Sequence, residues 1–171
     1  MRTLAFGPLA FFAAAALGCS ASVTELGPSD ANPLDTEEAA LLSEFQAFRV
    51  SKNLPAVTGC AVLNVSAAAH ADDMRDHNYL ADESPDGTTV RTRACNAGYQ
   101  PACGSAGVAE AVASGNDMAQ AVLTQWENDM KTAPVISNPT LLVVGIGRSE
   151  GVDTPVWAMD LGSAQDPSCS D

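Results

Sequence analysis

The first eighteen residues constrain this chain most, because they set the compartment in which the rest must fold. One cation, Arg2, precedes an apolar run from Leu4 to Leu17. The run is shorter than the roughly 20 residues of a membrane-spanning helix, and its form is typical of a signal peptide. Residues 16–19 resemble a bacterial lipobox, which predicts a lipidated Cys19. Ordinary cleavage nearby would instead leave a secreted protein.

The segment after the signal peptide has the composition of a flexible linker. Residues 20–34 are rich in Ser, Gly, Pro, Asn and Asp, which favour turns and open chain. We therefore predict a signal peptide over 1–18, and a lipidated cysteine with its tether over 19–34.

Four cysteines remain when Cys19 is set aside, and an even number in an exported chain suggests two disulfides. Cys95 and Cys103 are close in sequence and bracket a Gly-Tyr-Gln-Pro turn, which favours that pair. Cys60 would then bond to Cys169 and tie the C-terminal tail to the body of the protein. A zinc site is the competing interpretation, although no CxxC pair exists.

Charge narrows the classes of partner. The chain has 8 Lys and Arg against 21 Asp and Glu, a formal net charge of -13. This argues against nucleic acid and against a polybasic membrane surface, since both need clustered cations. The hydrophobic content of 46% suffices for one packed domain in 171 residues.

Apolar periodicity predicts the helices. Asp35 is a suitable N-cap with Glu38 at the capping-box position, and large apolar residues then recur at helical spacing up to about residue 52. A second helix is expected over 61–77. A third is expected to start at a cap formed by Asn116 or Asp117 and to continue to about residue 130.

Short β-rich runs predict the strands. They lie at about 108–112, 141–147 and 154–161, and the last two are expected to form an antiparallel hairpin. Gly145-x-Gly147 falls inside a strand with no helix after it, so we do not expect a phosphate-binding loop. Trp126 and Trp157 are interpreted as core residues.

Several short motifs occur in a recognisable order. They are Gln46-x-x-Arg49, Ser84-Pro85-Asp86-Gly87, Arg93, Glu110-x-x-Ala113-x-Gly115, Trp126, Gly145-x-Gly147-Arg148 and Trp157-Ala158-Met159-Asp160-Leu161-Gly162. In order and spacing, the region 36–163 resembles a bacterial extracellular CAP-superfamily domain, the group of cysteine-rich secretory, antigen 5 and pathogenesis-related proteins. The resemblance implies an α/β (α+β) fold, an α-β-α sandwich whose helices flank a small antiparallel sheet. The domain would span 35–163, with a tail over 164–171.

The resemblance also implies a central cleft, which many members line with two histidines and two acids, and some use to bind zinc. In this chain Asp82 and Thr132 stand at the two histidine positions. Glu110 stands at one acidic position and Asp129 at the other. Both cleft histidines are therefore missing.

The remaining ionisable groups leave several interpretations open. If the three acids and Thr132 converge, a hard cation such as Ca²⁺ could neutralise them, one acid could hold its proton, or the groups could turn into water as a solvated remnant that needs no cofactor; we expect the remnant. Glu110 could equally be a buried acid bonded to backbone amides. His70, Asp73 and His77 lie on one helical face and could form a metal patch, although locally hydrogen-bonded histidines are the usual case.

Three functions follow from this interpretation. The first is a surface-anchored or secreted, non-catalytic binding module for a lipid, a glycan or an envelope protein, in contact with the membrane only through its lipid. The second is a divalent-metal-dependent, protease-like hydrolase that uses Glu110. The third is a structural envelope protein. Two histidines on one helix offer no clear base for a serine or cysteine nucleophile.

Overall fold

The computed structural model describes residues 33–149 and 154–169. The predicted signal peptide over 1–18 and the predicted lipidation site at Cys19 lie outside these residues. The elements in chain order are α1 (Thr36–Ser51), β1 (Thr58–Gly59), α2 (Ala61–His77), α3 (Val90–Ala97), α4 (Gln100–Cys103), β2 (Val108–Ser114), α5 (Ala119–Asn128), α6 (Thr132–Ile136), β3 (Val143–Ser149), β4 (Val156–Gly162) and a final 3₁₀ turn (Pro167–Cys169).

The first helix starts as its sequence predicts. The Asp35 side chain accepts from the Glu38 amide, and the Glu38 side chain accepts from the Asp35 amide, both at 2.7 Å. This reciprocal pair satisfies two of the amides that a helix start leaves without partners. Helix α2 also has the predicted bounds.

Helix α5 starts differently from the prediction. Neither Asn116 nor Asp117 caps it; Met118 stands at the N-cap and offers no side-chain bond. The amide of Ala119 is instead bonded to Glu37 of α1 at 3.0 Å. An acid from another helix therefore does what a local cap would do, and the predicted cap was wrong.

The strands form one four-stranded sheet in the order β1-β3-β4-β2. Strands β3 and β4 form the predicted antiparallel hairpin, and β2 pairs antiparallel with the other edge of β4. The two-residue β1 adds a parallel edge to β3, so the sheet is mixed rather than purely antiparallel. Two residues are too few for a periodic signal, and β1 was not predicted for that reason.

Helices cover both faces of the sheet, which confirms the sandwich. Along β4, Trp157, Met159 and Leu161 pack into the cluster that contains residues of α1 and α5. The alternate residues Val156 and Ala158 pack against α2. Because successive strand residues point to opposite faces, β4 contacts helices on both sides, and the sheet is the central layer of the sandwich. Both tryptophans are core residues, as predicted.

Two glycines let α2 lie unusually close to the sheet. A Cβ at Gly145 would lie 2.2 Å from the Leu63 carbonyl carbon, and one at Gly147 would lie 2.0 Å from the Ala68 amide nitrogen. No side chain larger than hydrogen fits either position without moving the helix. Both glycines lie inside a strand, β3, as predicted, and are packing positions there.

Arg49 explains one of the sequence motifs. Its buried guanidinium donates to the carbonyl oxygens of Pro55, Ile136 and Asn138 at 2.9 to 3.1 Å. Gln46, three residues earlier, donates to the Val57 carbonyl at 3.1 Å. The pair fixes the chain that leaves α1 and the chain that follows α6.

Both predicted disulfides are present. Cys95 and Cys103 join α3 to α4, with their Cα atoms 4.9 Å apart. Cys60 and Cys169 join the start of α2 to the final 3₁₀ turn across 109 residues, with Cα atoms 4.1 Å apart. Within the described residues, no helix is long and apolar enough to cross a membrane.

Candidate functional site

A cavity of about 520 Å³ opens between the loop that follows α2, strand β2 and the segment that joins α5 to α6. Helix α2 is followed by its C-cap Asn78, whose left-handed backbone (φ 53°) turns the chain into the loop that lines one side of the cavity. The cavity is lined by Leu80, Ala81, Asp82, Val112, Gln125, Asp129, Lys131 and Thr132. We call this cavity the cleft.

Three of the four residues predicted for the cleft line it. Asp82 is on the α2 side, while Asp129 and Thr132 are on the α5–α6 side. The Asp129 carboxylate accepts from the amides of Thr132 and Lys131 at 2.8 and 2.9 Å, and these bonds lower its pKa. Partial burial raises the pKa of Asp82, and the charges of Arg93 and Lys131 partly offset this rise.

Glu110 does not line the cleft. It lies on β2 two residues before the lining residue Val112, and its side chain is inaccessible to solvent. One carboxylate oxygen, Oε2, accepts from Arg93 at 2.7 Å. Its partner is therefore a guanidinium rather than backbone amides, and the three acids considered for a cation do not meet in one site.

Arg93 connects the buried Glu110 to the wall of the cleft. The nitrogen that donates to Glu110 also donates to the Asp82 carbonyl oxygen at 2.8 Å, and its neighbour donates to the Thr88 carbonyl at 3.0 Å. From sequence, Arg93 was visible only as part of a motif. Its role depends on a contact between α3, β2 and the loop after α2, which spacing along the chain does not reveal.

His70 supports the same wall from the other side. Its fully buried ring has Nε2 2.9 Å from the Ala81 carbonyl and 3.6 Å from Glu110 Oε2. A carbonyl oxygen can only accept, so Nε2 carries the hydrogen. Burial, with the charge of Arg93, lowers the pKa of His70 to about 4, so the ring is neutral at pH 7.

The two histidines have different environments and do not form one site. His77 is exposed and pairs with Asp73 at 2.8 Å, whereas His70 is buried beside Glu110. In the described ranges, no group of three or more His, Cys, Asp or Glu is placed to hold a metal ion.

Asp160 is the residue that sequence reasoning missed. It lies directly opposite Glu110 across the β2–β4 pairing and is 1% exposed. Burial raises the pKa of both carboxyls, and the charge of Asp160 raises that of Glu110 further. An acid inside the apolar run of β4 was the available signal, but only the strand register shows which acid it meets.

The comparisons with known proteins agree with this architecture. The sequence model of the cysteine-rich secretory protein family, CAP, matches residues 42–161. No curated protein matches the chain.

Solved structures share the fold at low sequence identity. An outer surface protein of Borrelia burgdorferi matches with a TM-score of 0.67 at 20% identity, over 77% of this chain and 97% of that one. An extracellular Bacillus anthracis protein with an SCP domain matches with a TM-score of 0.64 at 19% identity, over 78% of this chain and 45% of that one. Venom allergen-like protein 4 of Schistosoma mansoni matches with a TM-score of 0.57 at 11% identity, over 78% and 92%. With the family match over most of the domain, the chain belongs to the CAP family of cysteine-rich secretory proteins.

Proposed function

We propose that this protein is an extracellular CAP domain, held at the cell surface through a lipidated Cys19, whose cleft is a non-catalytic binding site. The signal peptide predicted for the first eighteen residues supports the location. The surface and extracellular proteins among its structural relatives support it independently.

The cavity between Asp82 and Thr132 is the observation that carries the binding role. Its volume falls within the range of small-molecule sites, about 300–1,000 Å³. Leu80, 47% exposed, and Val112 add apolar surface to the polar lining. The cleft is therefore suited to a small group with both a polar and an apolar part.

The charges of the cleft favour a cationic group. Asp82 and Asp129 supply two carboxylates against the single ammonium of Lys131. The whole chain carries a formal charge of -13, which repels anions at longer range. An ammonium group beside a short apolar chain fits this lining, and envelope lipids, amino sugars and lysine side chains of envelope proteins all offer one.

Binding accounts for the cleft better than hydrolysis does. None of its lining residues carries an imidazole or a thiol, so hydrolysis there would lack the histidine that most often acts as general base. It would have to use a carboxylate, and that of Asp129 already accepts from two backbone amides. The hydrolase hypothesis relied on Glu110. That carboxyl is buried outside the lining and already bonded to Arg93.

A matched set of probes tests the proposed ligand chemistry. Hexylammonium, hexanoate and hexanol share one apolar chain and differ in charge. We expect hexylammonium to shift the NMR amide signals of residues 80–82 and 129–132 in a saturable way, and hexanoate to leave them unchanged. Asp82→Asn should weaken the effect, whereas Glu44→Gln removes one charge from α1, outside the cleft lining, and should not. Equal responses to all three probes, or none, would refute this ligand class.

The surface anchor has a separate test. Wild-type protein expressed in a bacterial host should incorporate labelled fatty acid and sediment with membranes. Cys19→Ser should do neither. Labelling that survives this substitution would show that the anchor, if any, lies elsewhere.

A further inference from the structure

Two buried carboxyls face each other behind the cleft. Glu110 of β2 and Asp160 of β4 are directly paired across the sheet. Residues paired in this way have Cβ atoms about 4.5–5.5 Å apart and point to the same face of the sheet. Here that face is covered by α2, and both side chains are withdrawn from water.

The charges around this pair do not balance if both acids are ionised. Arg93 of α3 is the one cation in contact with Glu110 among the described residues. His70 of α2 is neutral because its ring is buried and the charge of Arg93 disfavours a second proton, which outweighs the bond to the Ala81 carbonyl. Two carboxylates against one guanidinium would leave a buried charge without compensation, which is strongly unfavourable.

The hydrogen bonds are equally unbalanced if neither acid carries a proton. Arg93 satisfies Glu110 Oε2, but Glu110 Oε1 and both oxygens of Asp160 are buried without a donor in the described part of the chain. Among the described residues, Ser66 of α2 also faces the pair: its hydroxyl lowers the pKa of Asp160, but its single hydrogen can satisfy at most one of these three oxygens. Gly145 of β3, opposite Asp160, has no side chain. One proton held between the carboxyls supplies a donor and removes one charge.

We propose that Asp160 is a positioning residue of the cleft: it shares one proton with Glu110, and the pair presents the single negative charge that balances Arg93 while Arg93 bonds the Asp82 carbonyl. Burial, which raises the pKa of both acids, agrees with this arrangement. The inference extends the proposed binding function, because Asp82 lines the cleft. The proton itself does not depend on any ligand.

Proton uptake on folding gives the first test. Between pH 7.5 and 9 both acids are ionised in the unfolded chain, so a proton held in the folded state makes the unfolding constant rise about tenfold per pH unit. Urea unfolding of the full chain should show this slope. In Asp160→Asn and in Glu110→Gln it should disappear, because each leaves a single carboxylate. Glu44→Gln should keep the wild-type slope. A flat wild-type profile, or an unchanged slope in both variants, would overturn the proposal.

A spectroscopic test needs no unfolding. At pH 8 the folded wild type should show the infrared band of a protonated carboxyl, and either single variant should lose it. Persistence of the band in both variants would assign the proton to another group and overturn the proposal. If one variant does not fold, the wild-type slope and the other variant still decide the question.

The double variant tests the link to Arg93. Glu110→Gln with Asp160→Asn leaves the guanidinium without a counter-charge, whereas each single variant keeps one. The unfolding constant of the double variant should exceed the product of the single effects by more than tenfold, and the amide signals of residues 81–83 should shift only in the double variant. Independent effects of the two substitutions, or the same shifts in the single variants, would overturn the positioning role. These results are independent of the hexylammonium experiment, so each proposal can fail without the other.

Discussion

Replacing Gly147 by alanine should destabilise the fold, although the substitution adds only one methyl group. Its Cβ would lie 2.0 Å from the Ala68 amide nitrogen and 2.3 Å from the Ala67 carbonyl carbon. Non-bonded heavy atoms normally approach to about 3.5 Å, so α2 and β3 must separate by about 1.5 Å. The atoms that collide are main chain, and no rotation of a side chain relieves the contact.

The cost can be judged from what holds α2 in place. Asn64 of α2 accepts from the Ile146 amide of β3 at 3.0 Å, and Cys60 ties the start of the helix to Cys169. Overpacking of this kind costs about 1–3 kcal/mol, occasionally more, whereas replacing glycine stabilises by about 0.4–1 kcal/mol through the unfolded chain. For a main-chain collision we expect a net loss of about 2–3 kcal/mol. At about 4 °C per kcal/mol, Tm should fall by about 10 °C.

Urea unfolding followed by circular dichroism measures the loss, and a second strand glycine provides the control. A Cβ at Gly59 would meet Leu42 Cδ2 at 3.4 Å, an ordinary contact with a side chain that can move. Gly59→Ala should therefore stay within about 0.5 kcal/mol of the wild type. If Gly147→Ala is as stable as Gly59→Ala, the close approach of α2 to β3 is not the constraint argued here.

Three further predictions concern buried groups and cross-links. Because the pKa of His70 is lowered to about 4, unfolding takes up a proton as pH falls below about 6.5, and stability should decrease by up to about 1.4 kcal/mol per pH unit towards pH 4. His70→Gln should flatten this decline, and an unchanged profile would contradict the assignment. Replacing Cys60 and Cys169 by alanine opens a 109-residue loop and should cost about 4.7 kcal/mol, against about 2.5 kcal/mol for the 8-residue loop of Cys95 and Cys103; equal losses in urea unfolding would contradict the chain-entropy argument. Arg49→Lys keeps the charge but cannot reach all three carbonyls, so it should cost about 2–3 kcal/mol in the same assay, and a neutral result would show that water replaces the lost bonds.

Local signals in the sequence were sufficient to predict the elements whose hydrogen-bond partners lie nearby in the chain. Asp35 and Glu38 form a capping box within four residues, so α1 could be predicted from sequence alone. The apolar runs of β3 and β4 are close in sequence and pair as a hairpin. The cysteine spacing likewise led to the observed pairing. In each case the interacting groups are near in the chain, or few enough to enumerate.

The rest could not be predicted because distant parts of the chain supply the partners. The start of α5 depends on Glu37, which accepts from the Ala119 amide 82 residues later in the chain. The Glu110–Asp160 pair depends on strand register, and His70 depends on the path of the loop after α2. Burial and charge balance around such groups are properties of the assembled layers, and no motif in a single sequence encodes them.

The cross-link between Cys60 and Cys169 has a further consequence when a protease cuts the chain. Any single cut between these residues produces two fragments that the bridge still joins, and that span includes α2 and all of β2, β3 and β4. A nicked molecule would therefore keep its layers together and migrate as one species until a reductant is added. Cleavage of one peptide bond in the sheet region would therefore leave the fragments covalently joined instead of releasing part of the fold.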